Sequence, residues 1–346
     1  MPDLRNFKPF SLLLTGTPGW LCETILSQLG QSLPALTRVR CLVDKEHSAE
    51  RLKDWRRANP SVTETVVGNL REARSLEAAC ENMRGGVVVH ASDVFHPEKI
   101  SDYGSVNRAG ALALASAAKK SGVRRFVFVS STAVHGAAPS ATTPFTEHMP
   151  CRPLSHYGMS KLEAEQGLMH LHEPDVFEVA IVRHGPLYGL PVPGEHLELF
   201  KDVQENRARL VGGGEFAQSW SLVDDVAAGV IACLTDSSAA GQTFILCDPQ
   251  SHTRRDILTF IADALSVKPQ FRNSGAFVAT WARWWCRAGA RFDRYYKSLQ
   301  LLADQCRHTG ASCQKAQKLI GFKPRGNLPE GLHREVAWCR DHGLID

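Results

Sequence analysis

No CxxC pair occurs among the ten cysteines and no HxxxH spacing among the fourteen histidines. Zinc-knuckle and thioredoxin-like chemistry are thereby excluded, and no metal site is expected. The chain also lacks a dominant charge: 40 Lys and Arg stand against 36 Asp and Glu, a net of +4. A nucleic-acid binder needs a concentrated basic face, so no nucleic-acid partner is expected. Long apolar runs are missing too. Nothing approaches the roughly 18 residues of a membrane span. The apolar core near the start, Leu12-Leu13-Leu14, is far too short for a signal peptide. Low-complexity segments and internal repeats are absent. Scattered cysteines without a disulfide framework read as free thiols, which points to a reducing, cytoplasmic compartment.

What is present is an ordinary globular composition, 43% hydrophobic and 22% charged. A length of 346 residues exceeds the roughly 250–300 at which one core stops growing, so two lobes are expected. Through the first half, short β-rich runs alternate with helical patterns. Strands are predicted over 10–15, 38–43, 62–67, 87–91, 125–130 and 177–182, and helices over 21–30, 105–120 and 155–170. That alternation implies an α/β fold with a doubly wound parallel sheet. Gly and Pro cluster at 185–194 and at Gly212-Gly213-Gly214. The first lobe is therefore placed at 1–182, rejoined by residues near 222–248, with a smaller lobe across most of 183–346.

Thr15-Gly16-Thr17-Pro18-Gly19-Trp20-Leu21-Cys22 leaves the first predicted strand and opens the first helix. Glycines there allow a tight turn and let backbone N–H groups approach a pyrophosphate at a helix N-terminus. The usual third glycine is Cys22, small enough for close helix–strand packing. The same pattern also suits a plain strand–helix connection. Asp44 ends the second strand, where a carboxylate can accept hydrogen bonds from both ribose hydroxyls of an adenosine and repel a 2′-phosphate. NAD is thus the expected cofactor, with NADP kept open by Lys45, Arg40 and Arg51 nearby.

Tyr157-Gly158-Met159-Ser160-Lys161 puts Tyr157 and Lys161 one helical turn apart on one face. A free phenol, with a pKa of about 10, is a poor base at neutral pH. A nearby ammonium favours the phenolate, so the pair can act as acid and base for a carbonyl–alcohol couple. The strand before it ends in Ser130-Ser131-Thr132, and a hydroxyl at the C-terminal end of a parallel strand faces the ligand crevice. Turn or capping chemistry is the plainer use of such hydroxyls.

Together these residues resemble the extended short-chain dehydrogenase/reductase family, the NAD-dependent epimerase/dehydratase superfamily, over essentially the whole chain. Thr15–Cys22 is similar to TGxxGxxG, Gly68-Asn69-Leu70 to GDL, and His90-Ala91-Ser92 to the HxAA segment under the cofactor. Asn107 matches a structural Asn, and Ser130-Ser131-Thr132 with Val134 and Gly136 resembles SSxxVYG. Tyr157 and Lys161 match YxxxK, Arg183 with Tyr188-Gly189 resembles RPxxxYG, and Val223-Asp224-Asp225-Val226 resembles VDDV. Residues 318–324 are similar to the closing LGxxP.

The resemblance implies a Rossmann-type fold with a smaller C-terminal substrate-binding lobe. It implies a cofactor held by Gly16, Gly19, Trp20, Leu21, Asp44, Asn69, Leu70, Ala91, Ser92, Ser130, Tyr157, Lys161 and His184. It makes Ser131 the substrate-oxygen anchor, Tyr157 the acid/base and Lys161 the group that lowers the Tyr157 pKa and binds ribose. Relatives commonly dimerise through the Tyr-bearing helix and its predecessor, so a homodimer is expected.

Departures bear on the substrate. Nucleotide-sugar enzymes of the family usually carry an Asn where this chain has Pro186, and a diphosphate-binding Arg where it has Gln218. Pro supplies neither donor nor charge. The expected reaction is therefore hydride transfer between a secondary alcohol and a ketone on a fairly apolar small molecule. That expectation follows the branch resembling 3β-hydroxysteroid dehydrogenases and dihydroflavonol reductases. A nucleotide-sugar epimerase or dehydratase is the alternative, with Arg183, Arg207 and Arg209 available to an anionic substrate. A non-catalytic cofactor sensor, which Cys22 keeps in view, is the third. Residues 277–302 interleave Trp281, Trp284 and Trp285 with Arg283, Arg287 and Arg291. They read as a core helix, a lid over the substrate, or a helix in contact with an anionic membrane surface.

Overall fold

A computed structural model of the chain describes residues 10–32, 36–45, 52, 63–95, 97–275, 277–278, 281 and 307–346. Strand β1 (Phe10–Thr15) leads into helix α1 (Trp20–Ser32), then β2 (Leu36–Val43), β3 (Thr63–Val67), α2 (Ala73–Ala79) and β4 (Val87–His90). A π-helical stretch (Tyr103–Gly110) runs into α3 (Ala111–Lys120), followed by β5 (Arg125–Ser131), α4 (His156–Leu171) and β6 (Glu178–His184). The helix expected over 105–120 is thus divided, π-helical before Ala111 and α-helical after it.

Seven parallel strands form the central sheet in the order β11-β6-β5-β4-β1-β2-β3, where β11 is Gln242–Leu246. Successive residues of its inner strands serve two cores. Leu12, Leu14, Val87, Val89, Val127 and Val129 meet α1 and α6 (Val223–Thr235) on one face. Leu13, Val88, Phe126 and Phe128 meet α2, α3 and α4 on the other. Burial on both faces is why these strands are continuous apolar runs without alternation. The chain winds outward from β1 to β3 on one side and from β4 to β11 on the other. The reversal between β1 and β4 opens a crevice at the strands' C-terminal ends.

Beyond β6 come β7 (Leu187–Tyr188), α5 (Gly194–Gln204), β8 (Arg209–Val211), β9 (Ala217–Gln218) and β10 (Ser221–Leu222). After α6 and β11 come β12 (His252–Thr253), α7 (Arg254–Leu265), β13 (Arg272–Ser274), α8 (Gln314–Ile320) and α9 (Leu328–Asp341). A third core joins α5, α7 and α9 through Phe200, Ile257, Ile261, Leu332 and Val336, with Trp220 among them. Of the Trp/Arg segment at 277–302, all but Phe277, Val278 and Trp281 lies outside the described residues, and its three readings lie there with it. Among the described residues, no helix is long and apolar enough to cross a membrane. Among the same residues, no group of three His, Cys, Asp or Glu could hold a metal ion.

Candidate active site

β1 and β4 end side by side, with Thr15 opposite His90. Gly16 follows β1 at φ +100°, and a Cβ there would stand 2.7 Å from the Ala91 carbonyl carbon and 2.9 Å from the Ser92 nitrogen. Only glycine lets this turn lie against the Ala91–Ser92 backbone. The Gly19 N–H donates to the Gly16 carbonyl at 2.7 Å, and a Cβ on Gly19 would come within 2.6 Å of that oxygen. Helix α1 starts at Trp20, so its unpaired N–H groups face the turn. A tight backbone cradle at a helix N-terminus fits the pyrophosphate of a dinucleotide.

Trp20 donates its indole N–H to the Leu190 carbonyl at 3.2 Å, tying the turn to the loop after β7. Leu21 is buried in the core behind it. Cys22 is buried as well, its Sγ 3.5 Å from the Thr15 carbonyl, so α1 stays close to β1 without the third glycine. Burial pushes its thiol pKa far up and keeps it neutral. Asp44 is exposed at the C-terminal end of β2. Asn69 accepts from the Arg71 N–H at 2.9 Å and donates its own N–H to Ser75 Oγ at 3.0 Å, so it shapes the loop after β3. Leu70 packs against Gly110, where a Cβ would come within 2.9 Å of it.

Tyr157 and Lys161 lie on the first turns of α4, which Ser155 caps through the Gly158 N–H. The Lys161 ammonium donates to the Val129 carbonyl at 2.7 Å, lies 4.5 Å from the centre of the Phe128 ring, and reaches Asp93 Oδ2 at 3.2 Å. The Tyr157 hydroxyl donates to the same Asp93 oxygen at 2.9 Å. Ser131 accepts the Ala133 N–H at 3.2 Å and also hydrogen-bonds Tyr157. Asn107 holds the loop that carries Asp93: it donates to the Val94 carbonyl at 3.0 Å and accepts the Val94 N–H at 2.8 Å. Its amide also meets Ser160 Oγ on α4 at 3.3 Å.

Asp93 is the residue that sequence reasoning passed over. Its signal was an acid at the closing position of the HxAA segment. It changes the electrostatics expected of the pair. Burial, then the Asp93 charge and hydrogen bond, push the Tyr157 pKa well above its ordinary value. Asp93 pairs with the Lys161 ammonium at 3.2 Å beside the phenol. Burial works against the Asp93 charge, yet Lys161 and the Tyr157 hydrogen bond bring its pKa below the usual carboxylate range. His184 ends β6 partly buried, its Nδ1 2.6 Å from the Gly185 carbonyl, and burial lowers its pKa. His90 is fully buried beside Thr15 Oγ1 at 2.6 Å, and burial pulls it down to about 3, so it is neutral.

Behind this layer the Ser130 hydroxyl donates to Glu165 Oε1 at 2.5 Å, because consecutive strand residues point to opposite sides and Ser131 takes the crevice. Arg183 is not available to a substrate. It is buried, donating to Glu165 at 3.0 and 2.5 Å, with Nη1 3.0 Å from His135 Nε2. Arg207 is spent on Asp202 and Glu205.

A doubly wound sheet, a glycine turn at its switch point and a Tyr/Lys pair on the facing helix define an NAD-dependent enzyme of the extended short-chain dehydrogenase/reductase type. Residues 12–247 match the NAD dependent epimerase/dehydratase family, and the chain belongs to that family. It is 30% identical to the uncharacterized protein y4nL of Sinorhizobium fredii, across 96% of both chains. It is 26% identical to the UDP-glucose 4-epimerase of Vibrio cholerae, across 94% of both. The crystal structure of DesIV, the dTDP-glucose 4,6-dehydratase of Streptomyces venezuelae, with NAD bound, has the same fold. The two superpose with a TM-score of 0.74 at 22% identity, covering 96% of this chain and 97% of that one.

Proposed function

We propose that this chain is an NAD-dependent epimerase of a nucleotide-linked sugar, working at Tyr157, Ser131 and Lys161. The observation that carries the substrate class is Arg254. It opens α7 directly after Thr253, which pairs with Ala217 beside Gln218. Its Nε is buried and has no hydrogen-bond partner, and burial alone pulls its pKa down to about 10. A buried guanidinium nitrogen without an acceptor suits an anionic ligand, which a nucleoside diphosphate supplies. Arg254 lies two residues beyond His252, which pairs with Gln218, the position of the family's diphosphate arginine. The likeness to the Vibrio cholerae epimerase along nearly the whole chain supports the same reading.

Bound NAD supplies the carbon that takes up and returns a hydride. Gly16, Gly19 and the start of α1 would hold its pyrophosphate, and Asp44 its adenosine ribose. Ser131 Oγ would anchor the sugar oxygen and Tyr157 would take and return its proton.

A second reading, net oxidation of an apolar secondary alcohol, is favoured by Pro186 and Gln218 at the substrate positions. Product analysis separates the two. With UDP-glucose, epimerisation yields UDP-galactose and no lasting absorbance at the NADH wavelength. Accumulating NADH with a simple secondary alcohol, and untouched UDP-glucose, would overturn the epimerase in favour of the dehydrogenase.

A further inference from the structure

We infer that Asp93 is a positioning residue that makes Tyr157 a proton relay: the phenol hands its own proton to Asp93 Oδ2 as it takes one from the substrate hydroxyl. The inference rests on Tyr157 being the acid/base of the proposed reaction.

Three observations carry it. The Tyr157 hydrogen is already directed at Asp93, 2.9 Å away, so Oη can accept a substrate O–H on the lone pair that Ser131 does not take. The same Asp93 oxygen accepts from Lys161 at 3.2 Å, so carboxylate and ammonium form a neutral couple beside the phenol. The Asp93 side chain is 28% exposed while that of Lys161 is 2% exposed. Asp93 therefore forms the outer end of the chain, where a proton can pass to water.

The groups acting on Asp93 come from several elements. Tyr157 and Lys161 stand on α4, His184 ends β6, His90 ends β4 and Cys22 lies on α1. Burial lowers the pKa of both histidines and raises that of the Cys22 thiol, so at neutral pH the charged members are Lys161 and Asp93. The Tyr157 phenol holds its hydrogen in the bond to Asp93, so it can act as a base only if that proton leaves along this bond.

The step balances. The substrate O–H bond breaks as an O–H forms on Tyr157, and the original Tyr157 O–H breaks as one forms on Asp93. The relay moves one proton and no electrons, and it runs backwards when the carbonyl is reduced. Asn107 holds the geometry by clamping Val94, the residue after Asp93, on both its N–H and its carbonyl.

The test compares the wild type with Asp93→Asn, and with Asp93→Ala should the first variant fail to bind NAD. Tyrosinate absorbance is titrated in each, with Tyr157→Phe in the same background as the blank. In the wild type the Tyr157 component should be absent up to pH ~10, the ordinary phenol value. In Asp93→Asn the Lys161 field is no longer offset, and the component should appear at least one pH unit lower. Turnover of UDP-glucose by Asp93→Asn at pH 6 should fall about 100-fold, the scale of a lost general base, and recover as the pH rises. An unmoved Tyr157 titration, or a loss equal at every pH, would overturn the relay. The titration needs no substrate, so inactivity of the wild type on UDP-glucose would sink the epimerase reading without deciding the relay.

Discussion

Gly16 is the residue on which the crevice geometry turns. Its φ of +100° and the 2.7 Å approach to the Ala91 carbonyl leave no room for a side chain. Gly16→Ala must open the turn, and NAD affinity measured by fluorescence titration should drop at least tenfold, about 1.4 kcal/mol. Unchanged affinity would show that the pyrophosphate does not lie on this turn. At this scale the sequence was readable where a residue type has one use. Gly16, Tyr157 and Lys161 stand where their motifs place them. It was less readable where the partner decides. Ser130 and Ser131 look equivalent in the chain, yet strand alternation sends one to Glu165 and the other to the crevice. Arg183 looked free because its partner Glu165 lies on another element. Asp93 was visible as an acid in an alanine position, but its meaning depends on α4 meeting the β4 loop.

Among the elements, the strands of the sheet were legible because burial on both faces leaves continuous apolar runs. The second lobe was not, since its strands are two or three residues long and carry no periodicity. What holds those short pieces is polar. Asp248 accepts the Tyr188 hydroxyl of β7 at 2.6 Å and the Leu222 N–H of β10 at 3.1 Å. Burial raises its pKa to about 6, against the opposing pull of those two hydrogen bonds. The folded state therefore holds this proton more tightly than the unfolded chain, whose Asp titrates near 3.9. The resulting stabilisation is complete below about pH 4, is lost as the pH rises to about 6, and amounts to roughly 3 kcal/mol. Asp248→Asn keeps an acceptor for Tyr188 and removes the titration. Its melting temperature should fall less than that of the wild type between pH 4.5 and 7. Parallel curves for the two proteins would contradict the assignment.

For the molecule as a whole, the loop after β7 ties the rim of the sheet's crevice to α9. Trp20 reaches Leu190, and Gly189 donates its N–H to Glu335 of α9 at 2.6 Å, so the phosphate turn and the outer lobe share one loop. α6 and β11 follow the outer-lobe strands in sequence yet pack on the first lobe, α6 against α1 and β11 beside β6. That return makes the lobes one unit, with Arg254 and Gln218 on the outer side and Tyr157 on the inner. The central claim is that chemistry at this junction runs through Tyr157. It is tested most directly by following UDP-glucose to UDP-galactose with the wild type and Tyr157→Phe, while measuring NAD binding to both. The account predicts that the variant binds NAD as the wild type does and loses turnover by about 100-fold or more. Full turnover in a variant that still binds NAD would contradict it.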